Sequence, residues 1–140
     1  MFTLDPRLAA DSLWVARLTL SELRLMNNAA LPWLILVPQV AHCSELTDLS
    51  SHEQLQLWQE VNVCHQLLAA FTPDKINTAA IGNVVSQLHV HLVARYHNDA
   101  LWPAPIWGQL PAQPYDPTQA ELRIRQLQAA LAQLDLKAEA

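Results

Sequence analysis

Glycine is scarce in this chain of 140 residues, which holds two glycines against nine prolines. A loop that wraps a phosphate group in backbone amides usually needs several glycines, because other residues resist the positive φ angles involved. A β-barrel with many tight turns has a similar requirement. The composition therefore disfavours both a glycine-rich phosphate loop and a many-turned β-barrel.

Positive charge and long apolar runs are also lacking. Eight lysine and arginine residues against 13 acidic ones give a formal net charge of -5. That charge disfavours a general nucleic-acid-binding surface, but a small anionic ligand needs only local donors. No apolar run reaches the roughly 18 residues of a membrane span, and the amino terminus lacks a basic and apolar signal pattern. We therefore expect a cytoplasmic protein with no nucleic-acid partner and no membrane partner.

Cysteine is limited to Cys43 and Cys64, which form neither a Cys-x-x-Cys pair nor a spaced disulfide framework. Two reduced thiols are the favoured interpretation over a disulfide. Hydrophobic residues, by contrast, make up 51% of the chain. That share is ample for one core, so we expect a single domain over residues 1–140.

Five segments have the composition or the two-residue period of β-strands. They cover residues 13–19, 22–26, 33–38, 75–80 and 86–95. The third is a compact apolar run that ends at Pro38, which predicts a fully buried strand. The fourth and fifth are separated by a Gly82-Asn83 turn, so we expect them to pair antiparallel.

Two long helices and one short helical turn complete the predicted structure. The turn covers Asp5 to Asp11, and Ser50 with Glu53 forms a capping-box pattern ahead of a helix to about Phe71. Asp116-Pro117 predicts the start of a C-terminal helix to about residue 135. The predicted buried stripes are Leu55, Trp58, Val61, Cys64, Leu68 and Phe71 in the first helix and Leu122, Ile124, Leu127, Leu131 and Leu134 in the second. The fold class is then α+β, an antiparallel sheet with one long central helix and a C-terminal helix.

The segment 86–95 carries the side chains best suited to chemistry. Its alternation directs one set of residues to an apolar face: Leu88, Val90, Leu92 and Ala94. The opposite face receives Gln87, His89, His91 and Arg95, together with Val93. Imidazole has an unperturbed pKa of about 6.5, so either histidine can act as a nucleophile, a base or an acid near neutral pH.

This segment resembles the motif of the histidine triad (HIT) family, His-φ-His-φ-His-φ-φ, where φ is apolar. Here the motif reads Gln87-Leu88-His89-Val90-His91-Leu92-Val93. Other pieces resemble the family in the same order: the strand 34–38, the hairpin with Lys75-Ile76-Asn77 and Gly82-Asn83, and the tail of a bacterial subgroup from Asp99 to Gly108. The resemblance covers about residues 10–108 and implies a HIT-like α+β fold, often found as a homodimer.

The activity that the resemblance implies is hydrolysis or transfer of a nucleotide at its α-phosphate. By position His89 would attack phosphorus and form a nucleotidyl-histidine, which water then releases as the mononucleotide. His91 would contact the phosphate or serve the leaving group. The implied substrate is a dinucleoside polyphosphate or a nucleoside phosphoramidate, and no cofactor is implied.

Four further residues are candidates for substrate binding because they match polar positions of the family. Asn77 and Asn83 resemble the polar loop that contacts phosphate or ribose, Asn27 lies near a ribose-contact position, and His42 resembles an upstream histidine. Arg95 is a fifth candidate, because its charge lies on the predicted face of the histidines and favours a phosphate.

The departure from the family motif is Gln87, which stands where the first histidine is usual. Gln87 keeps the backbone carbonyl that orients the central ring, but its amide cannot carry a proton. We therefore expect activity that is detectable but weakened. Two alternatives stay open: a non-catalytic nucleotide-binding or regulatory module, and a metal-binding protein that uses the His-x-His pair. The metal-binding interpretation is disfavoured, because the positive charge of Arg95 on the same predicted face would repel a bound divalent cation.

Overall fold

A five-stranded antiparallel sheet is the framework of the computed structural model, which describes residues 1–139, with side chains to residue 134. The strands are β1 (Ser12–Arg17), β2 (Ser21–Met26), β3 (Trp33–Pro38), β4 (Lys75–Ala79) and β5 (Val90–Arg95). Their spatial order is β1-β2-β3-β5-β4, so β1 and β4 are the edges. The helices are α1 (Pro6–Asp11), α2 (Ser51–Ala69) and α3 (Pro117–Glu139), with a 3-10 turn at Leu46–Asp48. This architecture confirms the predicted α+β class.

Both long helices begin at the predicted caps. The Ser50 hydroxyl accepts a hydrogen bond from the Glu53 backbone N–H at 3.1 Å, and the Glu53 carboxylate accepts one from the Ser50 N–H at 2.8 Å. Asp116 accepts from the N–H groups of Thr118 and Gln119. These bonds satisfy amides that have no partner inside a first helical turn, which is why such sequences begin helices.

The predicted buried stripe of α2 is wrong at its first two positions. Leu55 and Trp58 are 68% and 64% exposed, whereas the buried residues are Leu57, Glu60, Val61, Cys64, Leu67 and Leu68. Apolar residues occur on more than one side of this helix, so three- and four-residue spacing does not select the buried side. Burial of Glu60 has a specific cause, because its carboxylate accepts hydrogen bonds from the backbone N–H groups of Leu20 and Ser21.

The predicted stripe of α3 contains one error. Leu122 is 64% exposed, while Leu127 and Leu131 are buried and Ile124 and Leu134 pack against the core. Leu122 precedes Leu127 by five residues, which turns it well away from the buried side of a helix with 3.6 residues per turn.

The sheet is covered on both faces. On one face, side chains of the strands pack against α2 and α3 in a core that includes Leu34, Leu36, Val90 and Leu92. The other face carries a second core of Leu8, Leu31, Trp33, Ile35, Val37, Val93 and Ile106. All six residues of β3 are buried, as its uninterrupted apolar sequence predicted.

The predicted histidine strand is shorter than expected, since β5 begins at Val90 rather than at residue 86. Pairing with the two neighbouring strands stops there: the last pair with β3 is Leu36 with Val90, and the last pair with β4 is Ala79 with His91. Residues 86–89 therefore extend beyond the paired sheet, and the Leu88 N–H donates to the Cys43 carbonyl instead. The antiparallel pairing of β4 with β5 is confirmed.

Both cysteines are free and buried, in agreement with the prediction of two thiols. Burial raises the pKa of Cys43 and of Cys64, so both side chains hold their protons more tightly than an exposed thiol. A membrane-crossing helix is not found among the described residues.

Candidate active site

A cavity of about 760 Å³ opens on the sheet face that carries Trp33 and Val93. Its walls come from α1, the ends of β2 and β3, the loop between β4 and β5, and the proline-rich segment after β5. The lining is mainly apolar, with polar groups supplied by Arg7, Asp11, Asn27, Asn28, Asn83, His89 and His91. A largely apolar cavity with a few converging polar side chains has the character of a small-molecule site.

His89 and His91 lie side by side in this cavity. His91 occupies the centre of the sheet, paired with Ile35 on one side and Ala79 on the other, and His89 precedes the first residue of β5. The two rings are buried, at 6% and 5% exposure, with centroids 4.8 Å apart in an edge-to-face arrangement. The alternation of the chain therefore directs both imidazoles to one face, as predicted.

His89 is oriented by the backbone of Gln87. Its Nδ1 lies 2.7 Å from the Gln87 carbonyl oxygen. A carbonyl oxygen only accepts hydrogen bonds, so Nδ1 carries the proton in the neutral ring and Nε2 keeps a lone pair. In that tautomer Nε2 has the free lone pair that a nucleophile needs, with no separate base to remove a proton.

His91 lies between two tryptophans. The Trp33 indole nitrogen is 3.0 Å from His91 Nδ1, and the Trp107 ring packs edge-to-face at 5.5 Å between centroids. Burial, and then the neighbouring His89, lower the pKa of His91 to about 3. His91 is therefore neutral at physiological pH.

The side chain of Gln87 points into the amino-terminal segment of the chain. Its Oε1 accepts a hydrogen bond from the Asp5 N–H, and its Nε2 donates to the Thr3 carbonyl, both at 2.8 Å. Gln87 lines a separate cavity of about 510 Å³ and not the one that holds the histidines. Gln87 therefore binds the amino-terminal segment through its side-chain amide and orients His89 through its backbone carbonyl.

Comparison with known proteins agrees with this geometry. The HIT domain family model matches residues 7–98, about two thirds of the chain and all of the histidine segment. The chain belongs to the histidine triad family.

Solved HIT proteins from three bacteria are similar to this chain over nearly their whole length. The protein from Marinobacter aquaeolei VT8 is 40% identical with a TM-score of 0.91, over 96% of this chain and 98% of that one. The Sinorhizobium meliloti 1021 protein is 40% identical with a TM-score of 0.89, over 92% and 96%. A Bradyrhizobium japonicum protein is 37% identical with a TM-score of 0.88, over 93% and 98%. No functionally curated protein matches the chain.

Two of the residues predicted to bind substrate lie at the cavity of this HIT protein. Asn83 lines it from the loop between β4 and β5, and Asn27 lines it from the end of β2. The side-chain oxygen of Asn27, Oδ1, accepts a hydrogen bond from the Tyr115 backbone N–H at 2.9 Å, which fixes the orientation of the side-chain amide. Its amino group then remains the part of the side chain suited to donate to a ligand.

The other three predicted binding residues do not line this cavity. Arg95 is 1% exposed, and its guanidinium donates to the Asp99 carboxylate at 2.8 and 3.0 Å and to Asn77 at 3.0 Å. The Arg95 guanidinium lowers the pKa of Asp99, so the pair stays ionised and the charge of Arg95 is already neutralised. His42 is exposed at the separate cavity beside Gln87.

Three contributors to the site were not among the predicted site residues: the hydrogen bond from Trp33, the ring of Trp107, and α1 with its Arg7 and Asp11. Their proximity to the histidines depends on strand register and loop course, which a single sequence does not specify. Within the described residues, no group of three or more His, Cys, Asp or Glu side chains is placed to hold a metal ion.

Gln87→Leu tests whether the side-chain hydrogen bonds of Gln87 hold the amino-terminal segment in place. The substitution removes two hydrogen bonds of about 1 kcal/mol each, so amide hydrogen exchange in residues 1–5 should become roughly tenfold faster or more. The control is Gln59→Leu, which replaces an exposed glutamine of α2. Equal exchange in the wild type and in Gln87→Leu would show that the amide does not hold the segment.

Proposed function

We propose that this HIT protein is a nucleotide hydrolase or transferase that acts at an α-phosphate through a covalent intermediate on His89. The observation that carries the proposal is the hydrogen bond from His89 Nδ1 to the Gln87 carbonyl at 2.7 Å, at the wall of the large cavity. This bond leaves Nε2 as the basic nitrogen. Membership of the HIT family supports the same reaction class.

In the first step, the lone pair of His89 Nε2 attacks phosphorus and the bond from phosphorus to the leaving group breaks. The imidazole becomes cationic as the nitrogen–phosphorus bond forms. The Gln87 carbonyl dipole, already bonded to Nδ1–H, stabilises that positive charge, because hydrogen bonds from charged donors are stronger than neutral ones. The leaving group takes the electron pair of that bond, and it departs as a phosphate anion or as an amine that receives a proton from solvent water.

In the second step, water attacks the phosphorus of the nucleotidyl-histidine. The nitrogen–phosphorus bond breaks, its electron pair returns to Nε2, the attacking water gives a proton to solvent, and the mononucleotide is released. His91 is a neutral group beside the reacting phosphate, where a ring N–H stabilises phosphoryl oxygens by hydrogen bonding. Splitting one difficult displacement into two easier ones is the usual advantage of covalent catalysis.

The cavity supplies the remaining parts of a nucleotide site. Its apolar walls suit a base, and the amides of Asn27 and Asn83 suit ribose or phosphate oxygens. The substrate class that we propose is a dinucleoside polyphosphate or a nucleoside phosphoramidate. We assign no substrate contact to Arg95, Asn77 or His42. The Arg95 guanidinium donates hydrogen bonds to Asn77 and Asp99, and His42 lies at another cavity.

Trapping the intermediate tests the role of His89. With a substrate labelled at the α-phosphate, the wild type should form an acid-labile, base-stable adduct on His89. His89→Ala should form no adduct and lose activity by at least about a hundredfold, on the scale of a missing catalytic group. The control is His52→Ala, which removes an exposed histidine on the first turn of α2.

Two results would contradict the assignment: label on another residue, or full activity in His89→Ala. If the wild type binds nucleotides but turns over no member of a panel of both substrate types, the hydrolase proposal fails. A nucleotide-binding module would then be the better description. The amide of Gln87, tied to the amino-terminal segment, would fit that outcome because it cannot supply a proton.

We also propose that the protein is a homodimer. Leu55 and Trp58 form an exposed apolar patch on α2, and α2 adjoins the edge strand β4 through a His65–Thr78 hydrogen bond of 2.9 Å. Exposed apolar patches of this kind are typical of protein contacts.

Light scattering should give twice the chain mass for the wild type and for Trp14→Glu, and a monomer for Trp58→Glu. A monomeric wild type would contradict the proposal.

A further inference from the structure

The hydrogen bond between Trp33 and His91 follows from the pairing of β3 with β5. Trp33 pairs with Val93 and Ile35 pairs with His91, so Trp33 and His91 are diagonal neighbours on the same face of the sheet. Diagonal neighbours lie within reach of aromatic side chains. The indole nitrogen of Trp33 is accordingly 3.0 Å from Nδ1 of His91, and both side chains are buried.

This contact defines the position of the proton on His91. An indole nitrogen is a donor only, so His91 Nδ1 must be the acceptor and must lack a proton. A neutral imidazole with a bare Nδ1 carries its proton on Nε2. A second proton on Nδ1 would set two N–H groups against each other in a buried contact.

The two histidines of the cavity therefore hold opposite tautomers. His89 has its proton on Nδ1, because a carbonyl oxygen faces that atom, and it presents a lone pair at Nε2. His91 has a bare Nδ1, because an indole N–H faces that atom, and it presents an N–H at Nε2. His89 can therefore give an electron pair from its Nε2, and His91 can donate a hydrogen bond from its Nε2.

We infer that Trp33 is a positioning residue that keeps His91 in the Nε2–H tautomer, so that His91 acts as a neutral hydrogen-bond donor to the phosphate. The tautomer depends only on the contacts described above. Its consequence for turnover rests on the proposed function, because it requires a phosphate beside His89.

The charged surroundings of His91 are compatible with a neutral donor. His89 precedes it in the same segment, Arg7 and Asp11 of α1 line the same cavity, and the packed rings of Trp33 and Trp107 do not titrate. Burial and His89 already lower the pKa of His91 to about 3. Loss of the Trp33 donor would free Nδ1 to take a proton, which should raise this pKa.

Nitrogen NMR of protein with ¹⁵N-labelled histidine measures the tautomer directly. Spectra at pH 7 and pH 5 should show His91 of the wild type with a protonated Nε2 and an unprotonated Nδ1. In Trp33→Phe, Nδ1 should gain a proton, as a second tautomer at pH 7 or as a cation at pH 5. The control is Trp107→Phe, which alters a ring at a similar distance without a hydrogen bond to His91 and should keep the wild-type pattern. Resonances of His91 are assigned by their absence in His91→Gln.

A wild-type His91 with its proton on Nδ1 would overturn the inference without any variant. Identical His91 spectra in the wild type and a folded Trp33→Phe would overturn it as well.

For turnover, Trp33→Phe should lower kcat about tenfold with little change in KM, equivalent to about 1.4 kcal/mol of transition-state stabilisation. An unchanged kcat alongside a shifted tautomer would overturn the positioning role. If the spectra agree but the wild type hydrolyses no nucleotide, the tautomer assignment stands and only the proposed function fails.

Discussion

The register between β3 and β5 is the constraint on which the site depends. Side chains alternate between the two faces of a sheet, so a slip of one residue would move both histidines from the cavity into the core against α2. The register is held by burial on both faces, because every residue of β3 and of β5 is buried. The same pairing that completes the hydrophobic core also brings Trp33 to His91.

Neutral hydrogen-bonding groups dominate the electrostatics of the cavity. Arg7 and Asp11 are the only lysine, arginine, aspartate or glutamate side chains that line it within the described residues. The buried arginine nearest in sequence to the histidines, Arg95, is already paired with Asp99. A phosphate in this cavity would therefore be stabilised mainly by oriented ring and amide N–H groups, which act strongly where water is excluded.

Local patterns in the sequence were sufficient to predict much of the fold. The alternation around His89 and His91 gave the face of each side chain, and the caps at Ser50 and Asp116 gave the starts of both long helices. These features depend on residues close together in the chain. The buried side of α2 was predicted wrongly, because Leu55 and Trp58 satisfy the same helical spacing as the residues that are in fact buried.

The features of the site that the sequence did not predict depend on contacts between distant parts of the chain. Gln87 binds Thr3 and Asp5, which lie more than 80 residues away, and Arg95 donates a hydrogen bond to Asn77 on the neighbouring strand β4. Trp33 meets His91 only through strand pairing. In each case the residue type was noted in the sequence, but its partner depends on the tertiary fold. The Gln87 carbonyl lies against His89 Nδ1, as the motif led us to expect, whereas the contacts of its amide with Thr3 and Asp5 do not follow from the motif.

The proposed site requires that the Nε2 atoms of His89 and His91 face one phosphate from the same side. A crystal structure of the wild type with a bound nucleoside monophosphate measures this directly. We expect phosphorus to lie about 3 to 3.5 Å from His89 Nε2, the separation of a near-attack arrangement, with a phosphate oxygen within hydrogen-bond distance of His91 Nε2. A nucleotide whose phosphate lies in another cavity, or that contacts His89 only through its base, would contradict the proposed roles of both histidines.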